Sequence, residues 1–138
     1  MAGSASSYRS GDMVWDGKTP VIFNSPVMNL HTAAVVNQAA FVAPCDLEIV
    51  QITYNVIVAP GTAAATFNFG NKADNDAYVD AFSIATTHAT GSHDLPLSNA
   101  AVVSTSINKG AVVEFDTGGE ATATGSVAIT VVCMPRRP

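Results

Sequence analysis

The run Leu47–Val58, LEIVQITYNVIV, alternates along its length. Val50, Ile52, Tyr54, Val56 and Val58 share one face, and every one is apolar. Ile49, Gln51, Thr53, Asn55 and Ile57 share the other, which is mixed. A period of two predicts a β-strand with one face on a core and one face half covered. Pro44 stands before the run and Ala59-Pro60-Gly61 ends it in a turn.

The rest of the chain repeats this pattern in shorter pieces. Pro20–Asn24 reads as a strand beginning on proline, hence at an edge. Val27–Gln38 fits a strand or a helical turn, because its alanines favour helix and its paired valines favour strand. Ala39–Ala43, Ala64–Gly70, Tyr78–Ala85 and Val102–Ile107 read as further strands, with Tyr78, Phe82 and Ile84 inward. Asn71–Asp76 and Thr86–Asp94 read as polar loops. Ala111–Asp116 and Ser126–Cys133 form a last pair, read as the closing hairpin of a sandwich. Gly118-Gly119 supplies its bend, and Val113 and Phe115 point inside. No amphipathic helix of useful length appears. About eight short antiparallel strands with turn residues between them predict an all-β, jelly-roll-like β-sandwich. An immunoglobulin-like sandwich fits less well, since Trp15 precedes both Cys45 and Cys133.

Domain organisation follows from composition. Residues 1–19 are rich in Gly, Ser and Ala, with isolated Tyr8, Met13 and Trp15, and read as an extended N-terminal arm. Residues 20–138 read as one β-sandwich domain. Only 12% of the residues are charged, about half the usual share of ~25%. A surface so short of charge points to cover by neighbouring molecules, although a small β domain with a Ser/Thr/Asn-rich surface has the same composition. The formal net charge is −5, and Lys72 is the one cation between Pro20 and Asn108. The others, Arg9, Lys18, Lys109, Arg136 and Arg137, lie toward the ends. No basic stripe for nucleic acid and no apolar run for a membrane is present. No apolar signal segment follows Met1, so synthesis in a reducing cytoplasm and two buried thiols are expected. A Cys45–Cys133 disulfide would need the two to lie on adjacent strands.

Chemistry-bearing sets are weak. His88, His93 and Asp94 could offer three zinc ligands, but a loop with Thr90, Gly91 and Ser92 fixes no spacing, and His31 is remote. Asp74, Asn75, Asp76 and Asp80 are the densest oxygen cluster, yet the EF-hand spacing is absent and a solvated acidic loop explains them. Glu114 and Asp116 share one strand face, expected to be mostly exposed. Neither cysteine has a histidine near it in sequence, and no nucleophile elbow exists. The expectation is therefore a protein that is not an enzyme and holds no cofactor or metal. Contact with partners is assigned to Tyr8, Arg9, Met13, Trp15, Arg136 and Arg137, the aromatic anchors of the arm and the charges near the two ends.

The stretch VSTSINKGAVVEFDTGG, followed by ATGSVAITVV, resembles the C-terminal hairpin of small jelly-roll decoration (cement) proteins on tailed-phage heads. FVAPCDLEIVQITYNV is similar to strands of phage capsid and fibre sandwiches. The likeness spans roughly Phe41–Val132, and its motifs are shared by many viral β-sandwiches. It implies a virion protein on the capsid surface, made in the host cytoplasm and associated with the major capsid protein. It also implies a homo-oligomer, a trimer by preference, whose arm bridges neighbouring subunits. A tail or fibre module, a small capsid protein and a carbohydrate-binding module share the same build and stay open.

Overall fold

Residues 19–30, 38–119 and 124–136 are described in the computed structural model of the chain. They form β1 (Val21–Asn24), β2 (Met28–Asn29), β3 (Gln38–Val42), β4 (Leu47–Val58) and β5 (Ala65–Asn71). Then follow β6 (Asp74–Ile84), β7 (Gly91–Leu95), β8 (Ser106–Ile107), β9 (Val112–Gly119) and β10 (Ser126–Pro135). One sheet runs β1-β10-β4-β7, with β2 on β10 and β8 on β4; the other runs β3-β9-β5-β6. All pairings are antiparallel.

Setting aside the two-residue strands β2 and β8, eight strands pair in a nested order. The first joins the last (β1–β10) and the second the seventh (β3–β9). The third joins the sixth (β4–β7) and the fourth the fifth (β5–β6). A hairpin rolled up on itself gives this order, which is that of a jelly roll. The expected all-β sandwich is what the chain forms. The expected closing hairpin is not. β9 and β10 follow each other in sequence but lie in opposite sheets, so each finds its partners elsewhere. Gly118 and Gly119 are not at a bend either: they continue β9 and pair with Thr66 and Ala65.

The faces of the strands follow the pattern of two until a bulge interrupts it. In β4, Ile52, Tyr54 and Val56 are buried as expected, but toward its start Leu47 and Ile49 are buried and Val50 is exposed. Val132 pairs with Gln51 and Cys133 with Ile49, so Val50 is the extra residue of a bulge. One inserted residue turns the strand over and sends the other set of side chains inward. A second shift, between Ser126 and Val127, leaves Val58 exposed at the far end.

The core lies between the sheets. Phe23, Phe67, Phe69 and Phe115 are fully buried, with Phe69 and Phe115 stacked at 4.8 Å between centroids. Val113 and Phe115 point inward as the alternation of β9 predicts, and so do Tyr78 and Ile84, while Phe82 is only half-buried. Two loops expected from polarity are strands in part. β6 begins at Asp74, because Asn71 Oδ1 accepts the amides of Ala73 and Asp74 and closes a tight hairpin. β7 occupies Gly91–Leu95, where backbone pairing to β4 outweighs a sequence with few apolar residues. Conversely, Val102–Ile107 is mostly irregular: Val102 makes one bridge to Val79, and only Ser106–Ile107 pair with β4.

Candidate functional site

Four strands end the two sheets, and they differ in chemistry. β6 carries Asp74, Asp76 and Asp80. It also bends at Ala81, whose φ is 49° and whose amide donates to Asn68 Oδ1 at 2.6 Å. β7 is five residues long and presents Asp94. Charge, bulging and shortness each discourage strand-to-strand association. β1 (VIFN) and β3 (QAAFV) have no charge at all, and no described residue pairs with the outer side of either. They lie on the same side of the sandwich, where the rings of Phe23 and Phe41 meet at 5.2 Å. Around that contact Ile22, Val27, Phe41 and Val42 stand in solvent, Val27 at 62% and Val42 at 60% exposure. An apolar, uncharged pair of sheet edges is the surface most suited to association with another chain.

Arg136 lies at one pole of the sandwich, and the fold engages its side chain. Nε donates to the Leu47 carbonyl at 3.1 Å, and one terminal nitrogen donates to Ile107 O at 3.2 Å and to Asn108 Oδ1 at 3.1 Å. The same nitrogen stands 4.0 Å from Asp46 Oδ1. The Arg136 amide also donates to Asp46 O, and the Lys109 amide donates to Asp46 Oδ1. Arg136 thus clamps the end of β10 to the start of β4 and to the β8–β9 turn. Tyr8, Arg9, Met13, Trp15 and Arg137, expected to meet partners, lie outside the described residues, as does His31.

The histidines join an aromatic cluster. His88 Nδ1 accepts the Ala85 amide at 2.7 Å, which leaves Nε2 to carry the proton and donate to Tyr54 Oη at 3.2 Å. His93 stacks on Tyr54 at 5.2 Å, and its Nε2 donates to the Ala89 carbonyl. Burial pushes the Tyr54 hydroxyl above its ordinary value. Both ring nitrogens of His88 and the Nε2 of His93 are thus engaged in hydrogen bonds, and among the described residues no three His, Cys, Asp or Glu gather as metal ligands.

The acidic sets also differ from expectation. Glu114 and Asp116 are 6% and 5% exposed, not on an open face. Asn75 reaches over from β6 and donates to Asp116 Oδ2 at 2.7 Å. Gly70, the register partner of Glu114, allows this cover: a Cβ there would lie 2.3 Å from the backbone of Asp74 and Asn75. Asp76 hydrogen-bonds Asp74; that bond first, then desolvation and the charges of Asp74 and Asp80, pushes its carboxyl up. Both cysteines are free thiols, Cys133 buried and Cys45 half-buried.

Sequence reasoning placed partner contact near the chain ends and passed over the β1–β3 edge. A signal was present: between Lys18 and Asp46 the chain contains no Asp, Glu, Lys or Arg.

With this geometry in place, the fold can be set beside known ones. No family model matches the chain, and no curated protein does. Among solved structures it is similar to a chain of the cyanophage Pam1 capsid asymmetric unit, with a TM-score of 0.57. The likeness covers 96% of each chain at 15% sequence identity. The two share a fold.

Proposed function

We propose that this protein is a virion structural protein that decorates and stabilises a phage capsid by bridging neighbouring capsid subunits. The observation that carries this reading is a fold likeness spanning nearly the full length of both chains, to a chain from a phage capsid asymmetric unit. The uncharged β1–β3 edge supports it. Decoration requires no chemistry, only a rigid scaffold and surfaces that fit a junction. A second copy of this chain is the occupant that suits the edge. The chain is acidic, and the edges at β6 and β7 would set carboxylate against carboxylate, whereas β1 and β3 bring none. On this reading the protein is a homo-oligomer, a trimer by preference, that sits on the capsid surface beside the major capsid protein.

Mixing the purified protein with phage heads assembled from coat protein alone tests the role. The expected result is stoichiometric binding and a higher temperature of head disruption. Val42→Lys, at an exposed position that leaves folding intact, is expected to reduce the oligomer to monomers by light scattering and to weaken head binding. Retention on a glycan array by a monomer that ignores heads would replace this reading with a carbohydrate-binding module. Closed shells formed by the protein alone would make it a capsid protein instead.

A further inference from the structure

The three cations among the described residues are scattered in sequence but not in space. Lys72 lies in the β5–β6 turn, Lys109 in the β8–β9 turn and Arg136 at the end of β10. Lys72 donates its amide to Val112 O, just beyond the β8–β9 turn, and Arg136 donates to Asn108 within that turn. All three described cations therefore meet at one pole of a molecule whose net charge is −5.

Between the two turns runs a groove of about 430 Å³, lined by Asn71, Lys72, Asn108, Lys109, Gly110 and Val112 among others. Its walls are fixed. Asn71 is held by the amides of Ala73 and Asp74 and by the Tyr78 hydroxyl. Asn108 is held by Arg136, and the Lys109 backbone by Asp46. Two acids near the groove have partners of their own: Asp46 is engaged by Arg136 and by the Lys109 amide, and Asp74 by Asp76. Lys72 and Lys109 make no ion pair with any described residue. Two unpaired ammonium groups over a rigid, amide-lined groove have the chemistry of a carboxylate receptor.

We infer that this groove between the β5–β6 and β8–β9 turns docks an acidic peptide segment of a partner protein, with Lys72 and Lys109 binding its carboxylates. A nucleic-acid backbone fits less well. It needs a track of cations along its length, and here they converge on one point of an acidic molecule. The inference is independent of the capsid reading: failure to bind heads would leave it standing.

The test is a titration of the isotope-labelled protein with an oligoglutamate peptide, followed by amide resonances. Saturable shifts are expected at Lys72, Lys109, Gly110 and Val112, weaker in physiological salt than at low ionic strength. Lys72→Gln with Lys109→Gln is expected to weaken the affinity by about tenfold, the size of two screened charge contacts. Both side chains stand in solvent, so the rest of the spectrum should be unmoved and report an intact fold. Three results would overturn the inference. They are shifts that do not saturate or do not centre on the groove, an unchanged affinity in the double variant, and tighter binding at the same amides by an oligonucleotide of equal charge.

Discussion

At the scale of single residues, the two thiols differ sharply in environment. Burial, with the charge of Glu48 adding to it, pushes the Cys133 thiol up to about 12. Burial, then the Asp46 carboxylate, also raises Cys45, while Lys109 works in the opposite direction. Alkylation requires the thiolate and access to it. In the native protein Cys133 is expected to remain unmodified by iodoacetamide while Cys45 reacts slowly. In denaturant both should react fast, and mass spectrometry of timed, quenched samples reads the difference. Rapid native labelling of Cys133 would contradict its buried position on β10, between β1 and β4. Much of the residue scale was legible in sequence. Val113 and Phe115 face the core because alternation in β9 is unbroken. Val50 was misread because a bulge has no sequence signature of its own: it exists only against the register of β10.

At the scale of elements, β6 shows how an edge strand is kept apart from others. Its acids repel an incoming strand, and they also repel each other. The raised Asp76 carboxyl means that the folded state holds this proton more tightly than the unfolded chain does. The sign of the linkage follows. Well below the ordinary carboxylate value both states are protonated and the pair has no effect. As pH rises through the unfolded value toward the raised folded one, stability is lost and stays lost at neutral pH. Asp76→Asn removes the charge and keeps a donor for Asp74. It is expected to raise Tm at neutral pH by about 1–2 °C, a small gain because the pair is exposed and screened. The gain should vanish in acid, and paired thermal scans at the two pH values check it. β7 was illegible for a different reason. Only His93 and Leu95 turn toward the core, too few for a hydrophobic period, and the strand exists because β4 offers it an edge.

At the scale of the whole molecule, the nested pairing makes the fold expensive in loop closure. Val21 finds Cys133 more than a hundred positions away, and among the described strands only β5–β6 joins neighbours across a tight turn. Chains dominated by such distant pairings fold in roughly milliseconds to seconds. Stopped-flow refolding is expected to show that range for its main phase. A main phase completed in ~10 μs, as in small helical bundles, would be incompatible with a transition state that needs these pairings. The sandwich itself was legible from the number and spacing of strands. The pairing was not, because adjacent strands in sequence, such as β9 and β10, carry nothing that records which sheet each joins. The β1–β3 edge became visible only once the two strands were found on the same side.

The nesting that joins the first strand to the last also brings the entry to β1 and the exit from β10 to one place. Val21 lies beside Cys133, so Thr19 and Arg136 leave the sandwich at the same pole, the one that holds the lysine groove. A peptide or domain joined directly to Thr19 or to Arg136 would therefore leave from that pole, away from the turn where Gly61 meets Thr124. Because Val21 and Cys133 are paired neighbours, a chain cut back to Thr19 and Arg136 could be closed by a modest linker. A circular permutant reopened at that distal turn would move any fused cargo to the opposite pole and leave every strand pairing in place.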